Sequence, residues 1–121
     1  MTNTKNIGSK GEEHAARYLE NKGYSILARN WFYNHKELDL VARIGKEIVF
    51  VEVKTRIQGS LVSPAEAVNM KKQRFIIEAA NAFIVKHNIN FDARFDIVTV
   101  INTFDGTEIE HIENAFYPRV K

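Results

Sequence analysis

The 121-residue chain contains no cysteine, which excludes a disulfide scaffold, a thiol nucleophile and cysteine-ligated zinc. Two prolines, six glycines and no low-complexity tract exclude collagen-like repeats and disordered linkers. No apolar run approaches the ~20 residues of a membrane-crossing helix. The opening residues Met1-Thr2-Asn3-Thr4-Lys5-Asn6 lack a signal-peptide core. A soluble, cytoplasmic protein with no membrane partner is expected. Excess charge is also scarce: 17 Lys and Arg against 15 Asp and Glu leave a net +2. A non-specific DNA coater is normally more basic, so nucleic-acid contact would have to come from a local patch. The remaining composition, 45% hydrophobic and 26% charged, suits one domain over residues 1–121 with a single core.

Residues 1–8 offer little to pack and are expected to be loose. Ser9-Lys10-Gly11-Glu12 has capping-box spacing, and Ala15, Ala16 and Leu19 follow at helical spacing with Gly23 as a stop, predicting a helix over 10–22. Glu12 either closes that capping box or shares the inward face of Ala15, Ala16 and Leu19; it cannot do both. Residues 24–32 predict a strand, Asn34-His35 a turn, and 37–44 and 47–54 a hairpin closed by Gly45-Lys46. Ser63-Pro64-Ala65-Glu66 predicts the start of a long helix reaching about Lys86. A strand over 94–101, a turn at Asp105-Gly106 and a short strand near 108–112 complete the chain. With 47–54 and 94–101 parallel across the long helix, the class is α/β: a mixed sheet flanked by helices, in the order α-β-β-β-α-β-β.

A Gly45-Lys46 loop makes paired hairpin residues sum to 91, setting Asp39 opposite Glu52 and Glu37 opposite Lys54. Leu38, Leu40 and Ala42 would then line one face with Val53, Val51 and Val49, and the four charged residues would share the other with Val41 and Phe50. Two opposed carboxylates beside apolar neighbours repel and are desolvated, a conflict that a divalent cation removes. Lys54 would aim an ammonium at the same space and could stabilise phosphate charge or orient water. Charged strand residues and Glu–Lys pairs are usually solvated, so the constellation is set against that simpler account. Glu37 most simply pairs with Lys54. Lys71, Lys72, Gln73 and Arg74 read either as a solvated basic helix face or as phosphate contacts, and Arg56 offers a further backbone contact. Trp31 and Phe32 are read as core residues before base-stacking ones, and the four histidines as surface or helix-end groups. No Walker A, G-x-G-x-x-G or H-E-x-x-H pattern is present.

Gly11-Glu12, Gly23-Tyr24, Arg29-Asn30-Trp31, Glu37-Leu38-Asp39-Leu40, Val51 to Arg56, Lys72-Gln73 and Arg94 to Val98 resemble the YraN family over about residues 10–116. That family in turn resembles the PD-(D/E)xK restriction-endonuclease-like superfamily, especially archaeal-type Holliday junction resolvases. The resemblance implies an Mg²⁺- or Mn²⁺-dependent endonuclease. Asp39, Glu52 and the helix-one acid Glu12 would be catalytic and metal-binding, with Lys54 catalytic and Glu37 in support. Leu38 stands where the superfamily often has Pro, and Lys36 where the YraN family often has Gly. The implied partner is DNA before RNA, branched DNA included, with a homodimer as in resolvase-like relatives and repair or recombination as the setting. The alternative is a nucleic-acid-binding module that keeps the fold without cutting. A purely structural protein would leave the opposed carboxylates unexplained.

Overall fold

A computed structural model describes residues 4–59 and 68–118. The elements run α1 (Thr4–Asn21), β1 (Ser25–Tyr33), β2 (Lys36–Ile44), β3 (Glu47–Ile57), α2 (Met70–Lys86), β4 (Asp92–Thr103) and β5 (Gly106–Phe116). One sheet has the spatial order β1-β2-β3-β4-β5, with β3 and β4 parallel and every other neighbour antiparallel. This is the α/β architecture and element order expected. The β3–β4 pairing joins Glu47 to Asp92 and Ile57 to Asn102, so the two central strands align over their whole lengths.

The sheet separates two apolar layers. Ala15, Ala16 and Leu19 of α1 meet Leu40, Ala42, Val49, Val51, Val98 and Val100 on one face. Ile76, Ala79, Ala80 and Phe83 of α2 meet Val41, Ile48, Phe50, Phe95 and Ile97 on the other. Central strands covered on both faces read as near-continuous apolar runs, as β4 does between Ile97 and Ile101 with only Thr99 interrupting. Trp31 packs edge-to-face on the buried Phe83, with ring centroids 5.2 Å apart, and lies half-buried against the core. Phe32 is not a core residue: it lies near the end of the edge strand β1 and is 62% exposed.

Several boundaries differ from the sequence expectation. The first helix starts at Thr4, so Ser9 to Glu12 lies inside it and cannot form a terminal capping box. The Ser63 to Glu66 signature lies outside the described residues. Within them, α2 starts afresh at Met70: Asn69 is extended, and its side chain accepts a 2.9 Å hydrogen bond from the Lys72 N–H. The last hairpin turns on Phe104-Asp105, with Gly106 already paired to Thr103 at φ 143°, and β5 is a full 11-residue strand.

A buried polar network explains that longer strand. Asp96 is fully buried, and Arg94 donates from Nε to its Oδ1 at 3.0 Å and from one terminal nitrogen to Oδ2 at 2.9 Å. Asn114 adds its main-chain N–H to Oδ1 at 3.1 Å, and His111 Nε2 lies 2.7 Å from Oδ2. His111 therefore departs from the surface role expected of it; its side chain is only 4% exposed. Burial alone would raise the Asp96 carboxyl, but hydrogen bonds from His111, Arg94 and Asn114 outweigh it and hold the group below the usual carboxylate range. Arg94 also donates to the Tyr24 hydroxyl at 2.5 Å, tying the start of β1 to β4.

Candidate functional site

The site forms where β2 and β3 separate. The paired register follows the sum of 91 from Ile44–Glu47 to Leu40–Val51 and stops there. One residue further, Asp39 and Glu52 are not ladder partners; instead Asp39 Oδ2 accepts the Val53 main-chain N–H at 2.9 Å. A carboxylate thus takes the place of a strand carbonyl. Alternation breaks at the same point: Leu38 belongs to the α2-side cluster and Leu40 to the α1-side cluster, although they lie two residues apart. The shared face expected for Leu38 and Leu40 is corrected accordingly, since a strand that kept its pleat could not divide them this way.

Three acids from two elements converge on this gap. Glu12 of α1, Glu37 and Asp39 of β2 each offer a carboxylate oxygen within 4.8 Å of the other two, and all three are half-buried. Glu12 is turned inward as its helical spacing requires. Its main-chain neighbour Gly11 is pressed against β3, where a Cβ would lie 2.5 Å from Thr55 Oγ1. That close approach brings the start of α1 near the strand pair. Glu37 does not pair with Lys54, correcting the register-based expectation. The strands have parted before they reach that pair, and Glu37 faces the other acids.

Glu52 stands beside the trio without joining it. It is buried, and its Oε1 lies 3.4 Å from Lys54 Nζ and 3.5 Å from Lys72 Nζ. Of the residues expected as ligands, Glu12 and Asp39 lie together in the acidic cluster, which Glu37 completes, and Glu52 lies outside it. Lys72 reaches the site from the first turn of α2, which joins one of the basic helix residues directly to the acidic constellation. The others are engaged elsewhere. Gln73 donates to the Val68 carbonyl at 3.0 Å, Lys71 stands over the Phe75 ring, and Arg56 Nη2 lies 3.7 Å from Glu110.

The electrostatics are unbalanced at the trio. Among the described residues, no lysine or arginine forms an ion pair with Glu12, Glu37 or Asp39. Desolvation, reinforced by the Glu52 charge and by Glu12 and Glu37, pushes Asp39 up to about 8 despite the Val53 hydrogen bond. Desolvation also raises Glu12; the Asn30 hydrogen bond opposes this, and the Glu37 and Glu52 charges add to it. A hard divalent cation fits such a donor set, because clustered carboxylate oxygens suit Mg²⁺ or Mn²⁺ and its charge relieves the repulsion.

Asn30 is the site residue that sequence reasoning left unassigned. Its Nδ2 lies 3.0 and 2.9 Å from the two Glu12 oxygens and 3.0 Å from Glu37 Oε2. The signal was an asparagine within an otherwise strand-forming run, Ile26 to Tyr33, where Asn is disfavoured.

Comparison with known proteins fixes the family. Residues 11–100 match the Uncharacterised protein family UPF0102. The chain belongs to that family. It is the YraN family that the quoted motifs resemble. UPF0102 proteins of Parabacteroides distasonis and Phocaeicola vulgatus are 45% and 44% identical to this chain over 117 and 120 residues. The first alignment covers 97% of both chains and the second 99% of both. A UPF0102 protein of Chlorobium chlorochromatii is 42% identical over 120 residues, covering 92% of this chain and 91% of its own. Among the described residues, no helix is long and apolar enough to cross a membrane.

Proposed function

We propose that this UPF0102 protein is a metal-dependent endonuclease that hydrolyses phosphodiester bonds in DNA, branched or otherwise structured DNA included. The observation that carries the reading is the convergence of Glu12, Glu37 and Asp39 within 4.8 Å, with no ion pair to a lysine or arginine among the described residues and two lysines adjacent at Glu52. That arrangement carries an electrostatic cost, since burial and the neighbouring acids raise the Asp39 carboxyl.

Glu12, Glu37 and Asp39 would hold Mg²⁺ or Mn²⁺, and the Glu52 charge, which acts on both Asp39 and Glu12, would add to the pull on the ion. Bound there, the ion supplies Lewis acidity toward a phosphoryl oxygen and offsets the charge of the acids. The residues of the chain do the rest. The Val53 N–H fixes one Asp39 oxygen and leaves the other available. Lys54 and Lys72 bring two ammonium groups from β3 and α2 to one buried carboxylate. An incoming phosphate would compete for both ammoniums, which suits them to bind the substrate backbone and stabilise charge developing on the phosphorane oxygens.

The decisive experiment incubates the purified chain with Mn²⁺ and duplex, single-stranded and four-way-junction DNA, alongside Asp39→Asn, Glu52→Gln and Lys54→Ala. Cleavage reduced at least about 100-fold by each substitution is expected, in keeping with the loss of one electrostatic or metal-holding group. Cleavage that survives Asp39→Asn and Glu52→Gln together overturns the assigned site. Tight DNA binding without any cleavage favours the module that binds nucleic acid but does not cut.

A further inference from the structure

We propose that Asn30 is a positioning residue that holds Glu12 and Glu37 together before a cation arrives, an inference that rests on the metal-centre reading above. Three elements meet in this one side chain: Asn30 comes from β1, Glu12 from α1 and Glu37 from β2. The Asn30 amide nitrogen is within 3.0 Å of three carboxylate oxygens, more acceptors than its two hydrogens can satisfy at once. It therefore bridges the two acids rather than serving either alone.

The backbone at this point is built to deliver that amide. Asn30 has φ 49° in the middle of a strand, a left-handed conformation that asparagine tolerates better than most residues. Its neighbours are pinned on either side. Arg29 donates to Glu13 at 2.6 Å, and Trp31 packs on Phe83 in the core. The turned residue between them is the one that reaches the acids.

The chemistry explains why a neutral donor suits this place. A lysine or arginine bridging Glu12 and Glu37 would cancel their charge and compete with a metal for the same oxygens. A carboxamide holds the carboxylates in position while leaving their charge intact. Groups that orient metal ligands in this manner typically govern affinity by about 10- to 100-fold.

The test is Mn²⁺ titration of the full chain by isothermal calorimetry, with Asn30→Gly, Asn30→Asp and Glu37→Gln beside the wild type. Asn30→Gly keeps the left-handed backbone accessible and removes the amide. It should raise the Mn²⁺ dissociation constant about 10-fold or more while the circular dichroism spectrum is retained. A constant within about twofold of the wild type overturns the inference and leaves the metal-centre reading intact. Should the glycine variant fail to fold, Asn30→Asp decides. With its two donors replaced by a fourth acid, it should melt below the wild type in chelator at pH 8 and gain more on Mn²⁺ addition. An equal gain in both proteins overturns the inference. A wild type that binds no Mn²⁺ removes the metal-centre reading and this inference with it.

Discussion

Asp39 Oδ2 accepts the Val53 main-chain N–H at 2.9 Å, one residue past Leu40–Val51, where the β2–β3 ladder ends. The same carboxylate both separates two strands and joins an acidic cluster, so its protonation couples stability to site chemistry. Burial and the neighbouring acids push the Asp39 carboxyl up to about 8 in the fold, against its ordinary 3.8 when unfolded. Between those values the folded chain holds a proton that the unfolded chain has released. Its favourable contribution is complete below the unfolded value and is lost as pH rises through about 8. Asp39→Asn should therefore be more stable than the wild type at pH 8.5 by about 1–3 kcal/mol, with the difference shrinking toward pH 4.5. Urea melts of both proteins at the two pH values check this. A difference that does not change with pH counts against the assigned titration. Mg²⁺ should restore the wild type at pH 8.5 and leave Asp39→Asn unmoved.

Much of this was legible in the sequence because regular structure follows local rules. Gly45-Lys46 sets the hairpin register, and the apolar parity of Leu40 to Phe50 sets the faces. Reading failed where a side chain overrode the ladder. Asp39 takes a main-chain hydrogen bond, the pleat breaks between Leu38 and Leu40, and Glu37 moves from Lys54 to the acids. Pairing arithmetic cannot foresee the end of pairing. His111 and Asn114 escaped for a related reason, since their partner Asp96 lies on another strand behind a two-residue irregularity in the β4–β5 register. Lys72 was recognised as a basic helix residue, but its ion pair with Glu52 depends on how α2 packs across the sheet.

Gly11 offers a test of how α1 is seated beside the site. A Cβ there would lie 2.5 Å from Thr55 Oγ1, so Gly11→Ala must displace either the helix or that hydroxyl. A loss of about 1–2 kcal/mol is expected, because overpacking exceeds the helix-propensity gain of up to about 1 kcal/mol. In a Thr55→Ala background the clash is gone, and Gly11→Ala should become neutral or stabilising. A double-mutant cycle by chemical denaturation measures the coupling. Additive effects would mean that the helix and strand are not in contact there.

Asp96 should give the opposite pH slope to Asp39. Its folded carboxyl lies below the usual range once the bonds from His111, Arg94 and Asn114 outweigh burial, so its contribution is present above the unfolded value. It is lost as pH falls through the folded value. Asp96→Asn takes from the buried Arg94 guanidinium its two-point carboxylate partner, leaving it the ion pairs with Glu47 and Glu113, and should cost about 1.5–3 kcal/mol at pH 7. Stability profiles from pH 7 to 3 should fall more gently for this variant than for the wild type. A cost below about 1 kcal/mol would mean that solvent or other groups replace the lost partner.

Lys72 is the most direct link between the helix and the proposed substrate. It is 44% exposed while its ammonium lies 3.5 Å from the buried Glu52, so a phosphate approaching from solvent can reach it. If Lys72 meets one phosphate, Lys72→Met should weaken DNA binding across all sequences and lower the slope of log affinity against log salt by about 0.7–0.9. Fluorescence anisotropy at several salt concentrations gives both quantities. Lys71→Met, which removes an ammonium held over Phe75 instead of Glu52, should change the slope less. An unchanged slope in Lys72→Met would confine Lys72 to its ion pair with Glu52 and leave Lys54 as the phosphate-facing lysine of the site.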